Sequence, residues 1–187
     1  MHRKRAQGFS LLELIVVVGM ALIVAAIAMP NMMTAIANYR LRSASSNLAG
    51  LFQSARMTSV HDNRFYAVRY GLIGTGKIAF VDLNNNNTFD AGEPSVQFPQ
   101  GTTVVGGGGP SLAGLSLGWV PKPPPIRFNQ QGFPCAISGS TCVTMSGGYT
   151  VGYFQYVTDT RGKWAGVLVS PGGRIRSYMW SGSAWTN

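Results

Sequence analysis

The first 29 residues constrain this chain most, because a basic stretch is followed by a long apolar run. Met1–Gly8 contains three Lys or Arg residues, and the 21 residues of Phe9–Met29 contain a single charged residue, Glu13. As an α-helix rising ~1.5 Å per residue, the run is ~31 Å long, which matches the hydrocarbon core of a bilayer. The basic flank places the N-terminus in the cytoplasm. The sequence therefore predicts a single-pass membrane anchor.

The residues after the apolar run separate a permanent anchor from a cleaved secretory signal peptide. A signal peptide has a shorter apolar region ending in a small-x-small cleavage site, and Ala26–Ala28 is a weak version of that site. Residues 31–60 instead continue with helix-forming residues, and their apolar members recur at helical spacing. We expect one helix over residues 9–62, membrane-spanning over 9–29 and amphipathic beyond.

The sequence Gly8-Phe9-Ser10-Leu11-Leu12-Glu13 resembles the type III signal of type IV prepilins. The resemblance implies that a prepilin peptidase removes residues 1–8, cutting between Gly8 and Phe9, and that the new N-terminal Phe9 is methylated. It also implies that Glu13 pairs with the N-terminal amine of a neighbouring subunit during assembly. The alternative is an ordinary membrane anchor with an isolated carboxylate, which is costly in a membrane helix and usually has a partner.

The pattern changes to alternating, turn-separated segments from Arg64 onward, which predicts β-strands. We therefore expect an α+β fold, in which a long N-terminal transmembrane and amphipathic helix packs on a C-terminal antiparallel two-sheet β domain, residues 63–187. Gly106–Pro125 suggests no element beyond a proline-rich extended connection at its end. The eight predicted strands are Arg64–Tyr70, Lys77–Asp82, Thr102–Val105, Ile126–Asn129, Cys142–Met145, Tyr149–Val157, Lys163–Ser170 and Arg174–Trp180.

This β region is similar to the GspH/FimT branch of pseudopilins and minor pilins. The similarity lies in residues 79–82 with the Asn-rich loop after them, in residues 127–132, and in residues 173–176. It implies a minor pilin or pseudopilin in the bacterial inner membrane, with the β domain in the periplasm and other pilins as partners of the helix. Two assignments stay open: a type IV pilus subunit that primes assembly or occupies the tip, and a GspH-like pseudopilin of type II secretion.

An Asn-rich segment carries oxygen side chains at the spacing of a calcium-binding loop. Its candidate ligands follow the EF-hand register, with Asn87 where that loop usually has Gly. An Asn-rich turn whose side chains cap the backbone is the alternative. No cofactor is required by this interpretation, and calcium is an optional ligand. The candidate ligands are Asp82, Asn84, Asn86, Thr88, Asp90 and Glu93.

The C-terminal strand carries two arginines beside aromatic residues. Alternation places Arg174, Arg176, Tyr178 and Trp180 on one strand face, which suits phosphate contacts and base stacking. The motif resembles the GRxR element with which some FimT-type minor pilins bind DNA during natural transformation. The resemblance nominates Gly173, Arg174 and Arg176, and we expect Lys163 to widen the patch. A solvated strand face is the alternative.

The remaining residues predict no catalytic site. The charge is +9 overall and +6 without the leader, which favours polyanions without identifying one. Cys135 and Cys142 lie in no metal-binding pattern, so an oxidising compartment predicts a disulfide, with two free thiols as the alternative. Ser, His and acidic residues form no convincing triad, so we expect no enzyme activity. The rival from another class is a secreted hydrolase or lectin with a signal anchor.

Overall fold

The computed structural model describes residues 10–122, 124–139 and 141–187. The chain divides into two compact units, residues 1–38 and residues 39–187. A single α-helix, α1 (Leu11–His61, 51 residues), begins in the first unit and ends in the second. The helix is therefore continuous through Pro30, whose carbonyl oxygen accepts a hydrogen bond from Thr34 Oγ1 at 3.1 Å.

The described part of the first unit consists of the apolar half of α1. An 18-residue window of this helix has a mean hydropathy of 2.8, and none of it is buried within the protein. Apolar residues surround this half on all sides, and such a helix is stable only where something other than water covers it. Its length and composition fit a membrane span.

The second unit contains two antiparallel sheets, which confirms the predicted α+β fold. The described strands are β1 (Tyr66–Ile73), β2 (Gly76–Asp82), β3 (Ser95–Gln97), β4 (Thr102–Val105), β5 (Ile126–Phe128), β6 (Ala136–Ser138), β7 (Thr141–Val143), β8 (Met145–Ser146), β9 (Tyr149–Thr150), β10 (Tyr153–Asp159), β11 (Trp164–Val169), β12 (Ile175–Trp180) and β13 (Trp185–Thr186). Sheet A has the order β3-β2-β1-β5, and sheet B has the order β13-β12-β11-β10-β4. The remaining described strands form two hairpins, β6-β7 and β8-β9.

Two predicted strands are each broken in the structure. Residues 149–157 form β9 and part of β10, with a break at Val151 and Gly152. A side chain at Gly152 would lie 2.3 Å from the Trp119 ring, so the absence of a Cβ lets that ring pack on the backbone there. Residues 142–145 are likewise divided between β7 and β8. Alternation in the sequence does not reveal the break at Gly152, because the Trp119 ring that packs there comes from a distant segment of the chain.

The C-terminal half of α1 supplies one side of the main core. Its buried face packs against the inner faces of both sheets, and the alternation along each strand selects which residues point inward. In β11, Ala165, Val167 and Val169 belong to this core, whereas Leu168 faces the opposite side. The buried apolar residues of the helix are Leu41, Ala44, Leu48, Leu51, Phe52 and Ala55.

A second, aromatic core lies on the outer face of sheet B. Leu112, Leu115, Leu117 and Trp119 pack there, which gives Gly106–Pro125 a role that the sequence did not indicate. Hydrogen bonds attach the segment: Tyr156 Oη donates to the Pro110 carbonyl at 3.1 Å, and Trp185 Nε1 donates to the Ser111 carbonyl at 3.0 Å. The central members of this core are Phe154, Leu168, Tyr178 and Trp185.

Candidate functional site

The N-terminal end of α1 carries the assembly residue that the sequence predicts. Glu13 lies in the first turn of the helix, among exposed apolar side chains. Its side chain forms no hydrogen bond or ion pair with any residue that the structure describes. A carboxylate in an apolar helix surface needs a partner to be tolerated in a membrane or a helix bundle. Gly8 and Phe9 lie outside the described residues, so cleavage and methylation there stay predictions.

The Asn-rich loop after β2 is held by its first carboxylate. Asp82 is fully buried, and its Oδ1 accepts a hydrogen bond from the Asn86 N–H at 3.1 Å. Its Oδ2 accepts from the Asn87 N–H at 3.1 Å and from Arg69 Nε at 2.6 Å. Asn87 adopts a left-handed backbone with φ of 68°, which Asn tolerates better than most residues. The loop thus turns around the carboxylate of Asp82, its first candidate ligand, and the Arg69 guanidinium lies beside that carboxylate.

The other oxygen side chains of this loop also bond within the loop. Glu93 accepts hydrogen bonds from the backbone N–H groups of Leu83 at 2.8 Å and Asp90 at 3.1 Å. Asp90 Oδ2 accepts from the amide groups of Asn84 and Asn86. Thr88 donates its backbone N–H to Asn86 Oδ1 at 2.8 Å.

Among the described residues, no cluster of three or more His, Cys, Asp or Glu side chains is arranged to hold a metal ion. Oxygen ligands of the right type are present in the loop, but the charge that neutralises Asp82 comes from Arg69. Calcium binding therefore stays a prediction.

Gly173 of the candidate DNA-binding motif fastens the β11–β12 turn to α1. Arg56 Nη1 donates a hydrogen bond to the Gly173 carbonyl at 3.0 Å. Gly132, in the loop after β5, lies on the same guanidinium, since a Cβ there would be 3.1 Å from Arg56 Nε. Both glycines have a left-handed backbone, with φ of 75° and 77°. We call Arg56, Gly132 and Gly173 the arginine clamp, because one helix side chain joins loops from both sheets.

The two arginines of the motif remain available at the end of β12. Arg174 is exposed and Arg176 is half-buried, and neither side chain bonds to another described residue. Ile175 and Met179 pack into the main core, whereas Tyr178 and Trp180 belong to the aromatic core. The predicted alternation of β12 therefore matches the observed packing.

Lys163 does not widen this patch, which corrects the prediction. It precedes β11, whereas Arg174 follows the turn at the other end of that strand. At about 3.3 Å per residue, roughly 20 Å separates Lys163 from the Arg174 end of β11. Lys163 directly precedes the first residue of β11, and Arg174 follows its last residue after the turn. The length of the strand therefore separates the two side chains.

Lys163 instead belongs to a turn built around Asp159. The carboxylate accepts hydrogen bonds from the backbone N–H groups of Lys163 and Arg161, and Arg161 also forms an ion pair with it at 2.6 Å. Burial by itself raises the pKa of Asp159. The hydrogen bonds from Lys163 and Arg161 and the Arg161 charge outweigh that effect, so the pKa lies below its usual value.

Cys135 and Cys142 form a disulfide in the structure. It links Cys135, which is fully buried, to β7 across the β6–β7 hairpin. The Tyr153 hydroxyl donates a hydrogen bond to the Cys135 carbonyl, which joins the hairpin to β10. Burial raises the pKa of Tyr153 to about 12, so the hydroxyl keeps its proton for this bond at neutral pH.

Comparisons with known proteins agree with the character of the N-terminal segment. Residues 3–29 match the family described as the prokaryotic N-terminal methylation motif. The chain is 29% identical over 147 residues to the pilin-like protein PilA1 of Thermus thermophilus, covering 77% of this chain and 89% of the relative. Among solved structures, the minor pseudopilin EpsH from the type 2 secretion system of Vibrio cholerae aligns with a TM-score of 0.44 and 7% identity, over 75% of this chain and 97% of that one.

Proposed function

We propose that this chain, a type IV pilin-like protein, is a minor subunit that waits in the bacterial inner membrane and then joins a type IV pilus. Pilin-like proteins are structural subunits, and this chain is a subunit of that kind and not an enzyme. The observation that carries the proposal is the apolar half of α1, none of whose most apolar window is buried within the protein. Such a surface is stable in a bilayer and equally stable among the apolar helices of a filament.

Glu13 supplies the step from membrane to filament in this proposal. An unpaired carboxylate in an apolar environment is unfavourable, and a cationic partner relieves that penalty. The amine of a neighbouring subunit, freed by cleavage before Phe9, is a partner of the right charge. Pairing in one register only would order the subunits as they pack.

The assembly role is tested by the substitution Glu13→Ala, with Glu13→Asp as the matched control. We expect Glu13→Ala to reach the membrane at the wild-type level but to be absent from sheared filaments, because it has no charge to pair. Glu13→Asp keeps the charge and should be incorporated in part. Immunoblots of membrane and filament fractions measure both quantities. Wild-type incorporation of Glu13→Ala would refute the pairing mechanism.

Processing is tested by mass spectrometry of the mature chain. We expect an N-terminus at a methylated Phe9. A chain that begins after Ala28 would instead identify an ordinary signal peptide and favour the secreted hydrolase or lectin. Deletion of the gene then separates two uses: loss of pilus-dependent motility or DNA uptake supports the pilus, whereas loss of protein secretion supports the type II pseudopilus.

DNA binding at Arg174 and Arg176 is the second function that we propose. The support is that both side chains lack a partner among the described residues and that Arg174 is exposed. Binding of this kind is weak, salt-dependent and independent of base sequence. We expect Arg174→Ala with Arg176→Ala to abolish retention of DNA at low salt. Lys163→Ala, which removes a charge at the far end of β11, is the control and should retain DNA.

A further inference from the structure

The outer edge of β12 is open over part of its length. β11 pairs with one side of β12 from Ile175 to Met179. On the other side, β13 pairs only with Met179 and Trp180. Among the described residues, no strand therefore pairs with the outer side of the segment from Ile175 to Tyr178.

The hydrogen-bond register identifies the backbone groups at this open edge. The Arg174 carbonyl accepts a hydrogen bond from the Ser170 N–H at 2.9 Å, and the Ser181 N–H donates to the Ala184 carbonyl at 2.9 Å. In an antiparallel strand, successive residues direct their backbone groups to opposite sides. Even-numbered residues of β12 thus face β11 and odd-numbered ones face outward. Ile175 and Ser177 present their N–H and C=O groups to the open side, where no described residue bonds to them.

A cleft of about 300 Å³ lies beside this edge, between β12 and α1. Its helix side carries Arg42, which is exposed and forms no ion pair with a described residue. Ser177 faces this cleft and the helix, since its pairing partner Val167 belongs to the main core. The lining residues are Arg42, Ser45, Ser46, Ser177, Tyr178, Met179, Thr186 and Asn187.

The opposite face of the edge is also basic. Arg176 pairs with Leu168, whose side chain belongs to the aromatic core on the outer face of sheet B. A strand placed against the edge would therefore lie beside Arg42 on one face and Arg176 on the other. Because neighbouring side chains of a strand point to opposite faces, two adjacent acidic residues would reach one arginine each.

We propose that the Ile175–Ser177 edge binds an extended acidic segment of a partner protein by strand addition. The backbone groups of the edge would supply the pairing, and Arg42 and Arg176 would select the carboxylates. A peptide satisfies both the N–H and the C=O groups of a strand edge, whereas a nucleic-acid phosphate accepts hydrogen bonds and leaves the carbonyls unpaired. The proposal does not depend on the assembly role of α1.

A second copy of this chain is a poor occupant of the edge. The chain has only six acidic residues, and no two of them are adjacent in sequence. The two that end long strands, Asp82 and Asp159, are buried and already paired with arginines. No segment of this chain therefore offers the edge two adjacent carboxylates, and the proposal assigns them to another protein.

The test uses the full chain in detergent micelles and a fluorescent eight-residue peptide. The peptide consists of threonine and valine with two adjacent glutamates at its centre, and its control has two glutamines instead. Ser177→Pro removes one outward N–H while leaving the bonds to β11, a change that edge strands tolerate. Ser177→Ala keeps the N–H and is the matched control. We expect Ser177→Pro to weaken binding of the glutamate peptide about tenfold, and Ser177→Ala to bind like the wild type.

Charge variants test the role of the arginine, and hydrogen exchange tests the position at which the peptide binds. Arg42→Gln should weaken binding several-fold, whereas Lys163→Gln, which removes a distant charge, should not change it. Hydrogen exchange should show that the peptide protects the amides of Ile175 and Ser177, while the Tyr178 amide keeps its existing protection. Equal affinity for the glutamine peptide, or no effect of Ser177→Pro, would overturn the proposal. Two results together would assign the surface to polyanions instead. Single-stranded DNA would compete with the peptide equally well in the wild type and in Ser177→Pro, and the peptide would protect neither the Ile175 amide nor the Ser177 amide.

Discussion

Replacing Gly173 by alanine should destabilise the second unit without touching its core, because the substitution acts on the arginine clamp. Gly173 has a φ of 75°, and a Cβ there would meet the Gly132 carbonyl oxygen at 3.0 Å and the Arg56 Cζ at 3.3 Å. The left-handed backbone costs an alanine about 1–2 kcal/mol. Displacing the guanidinium weakens a charged hydrogen bond of 3.0 Å, a kind of bond worth about 1.5–3 kcal/mol.

Together these effects lower the free energy of unfolding by roughly 2–4 kcal/mol, since part of each is relieved by relaxation. For a chain of this size, that corresponds to a Tm lower by about 5–15 °C. Fluorescence reports the change well, because all four tryptophans lie between Trp119 and Trp185 in the second unit. Thermal unfolding of the full chain in detergent micelles is the assay.

The matched control is the neighbouring Gly172→Ala. Gly172 is exposed, and a Cβ there has nothing within 4 Å. We expect its Tm to stay within about 2 °C of the wild type, since an unstrained exposed substitution changes stability little. Equal Tm values for the two variants would show that the clamp does not stabilise the unit.

Three further predictions concern the β domain. Because hydrogen bonds hold the pKa of Asp159 below its unfolded value, its contribution to stability is full above about pH 4 and is lost as pH falls through the folded pKa; Asp159→Asn should flatten that part of the Tm–pH curve. Arg69→Leu leaves the buried Asp82 without its cation and should cost about 3–5 kcal/mol. If the loop binds calcium, millimolar Ca²⁺ should restore part of that loss; no rescue and no calorimetric heat would refute calcium binding. Replacing both cysteines by serine should lower the free energy of unfolding by about 2–3 kcal/mol, because a closed loop of this length restrains the unfolded chain by about that amount. Urea unfolding measures the change, and an unchanged midpoint would show that the disulfide does not stabilise the protein.

The parts of the fold that the sequence predicted are those that depend on local repetition. An uninterrupted apolar run and helical spacing after it indicated α1, and the structure contains that helix from Leu11 to His61. Alternation indicated β11 and β12, and also which residues of β12 share a face. These features are predictable because the secondary structure of each residue depends mainly on its neighbours in sequence. The core then determines which face of each element is buried.

The contacts that the sequence did not predict join segments far apart in the chain. Nothing in the sequence of residues 106–125 indicates that leucines of this segment cover the aromatic face of sheet B. The rings on which they pack, such as that of Tyr156, belong to residues far away in the chain. The motif at Gly173 and Arg174 suggested a ligand site, yet Gly173 is held by Arg56 across 117 positions. Lys163 was predicted to lie beside that motif, whereas the structure places it at the other end of β11.

The sequence by itself thus determined the apolar N-terminal helix, the position of Glu13 and the class of fold. Hydrophobic periodicity is local, and a membrane or a core responds to it directly. Only the tertiary structure decided that Arg56 joins two loops, that Arg69 neutralises the loop of Asp82, and that the edge of β12 stays open beside Arg42. Those arrangements depend on how the strands are ordered and registered in space, and strand order is a property of the whole chain rather than of any segment.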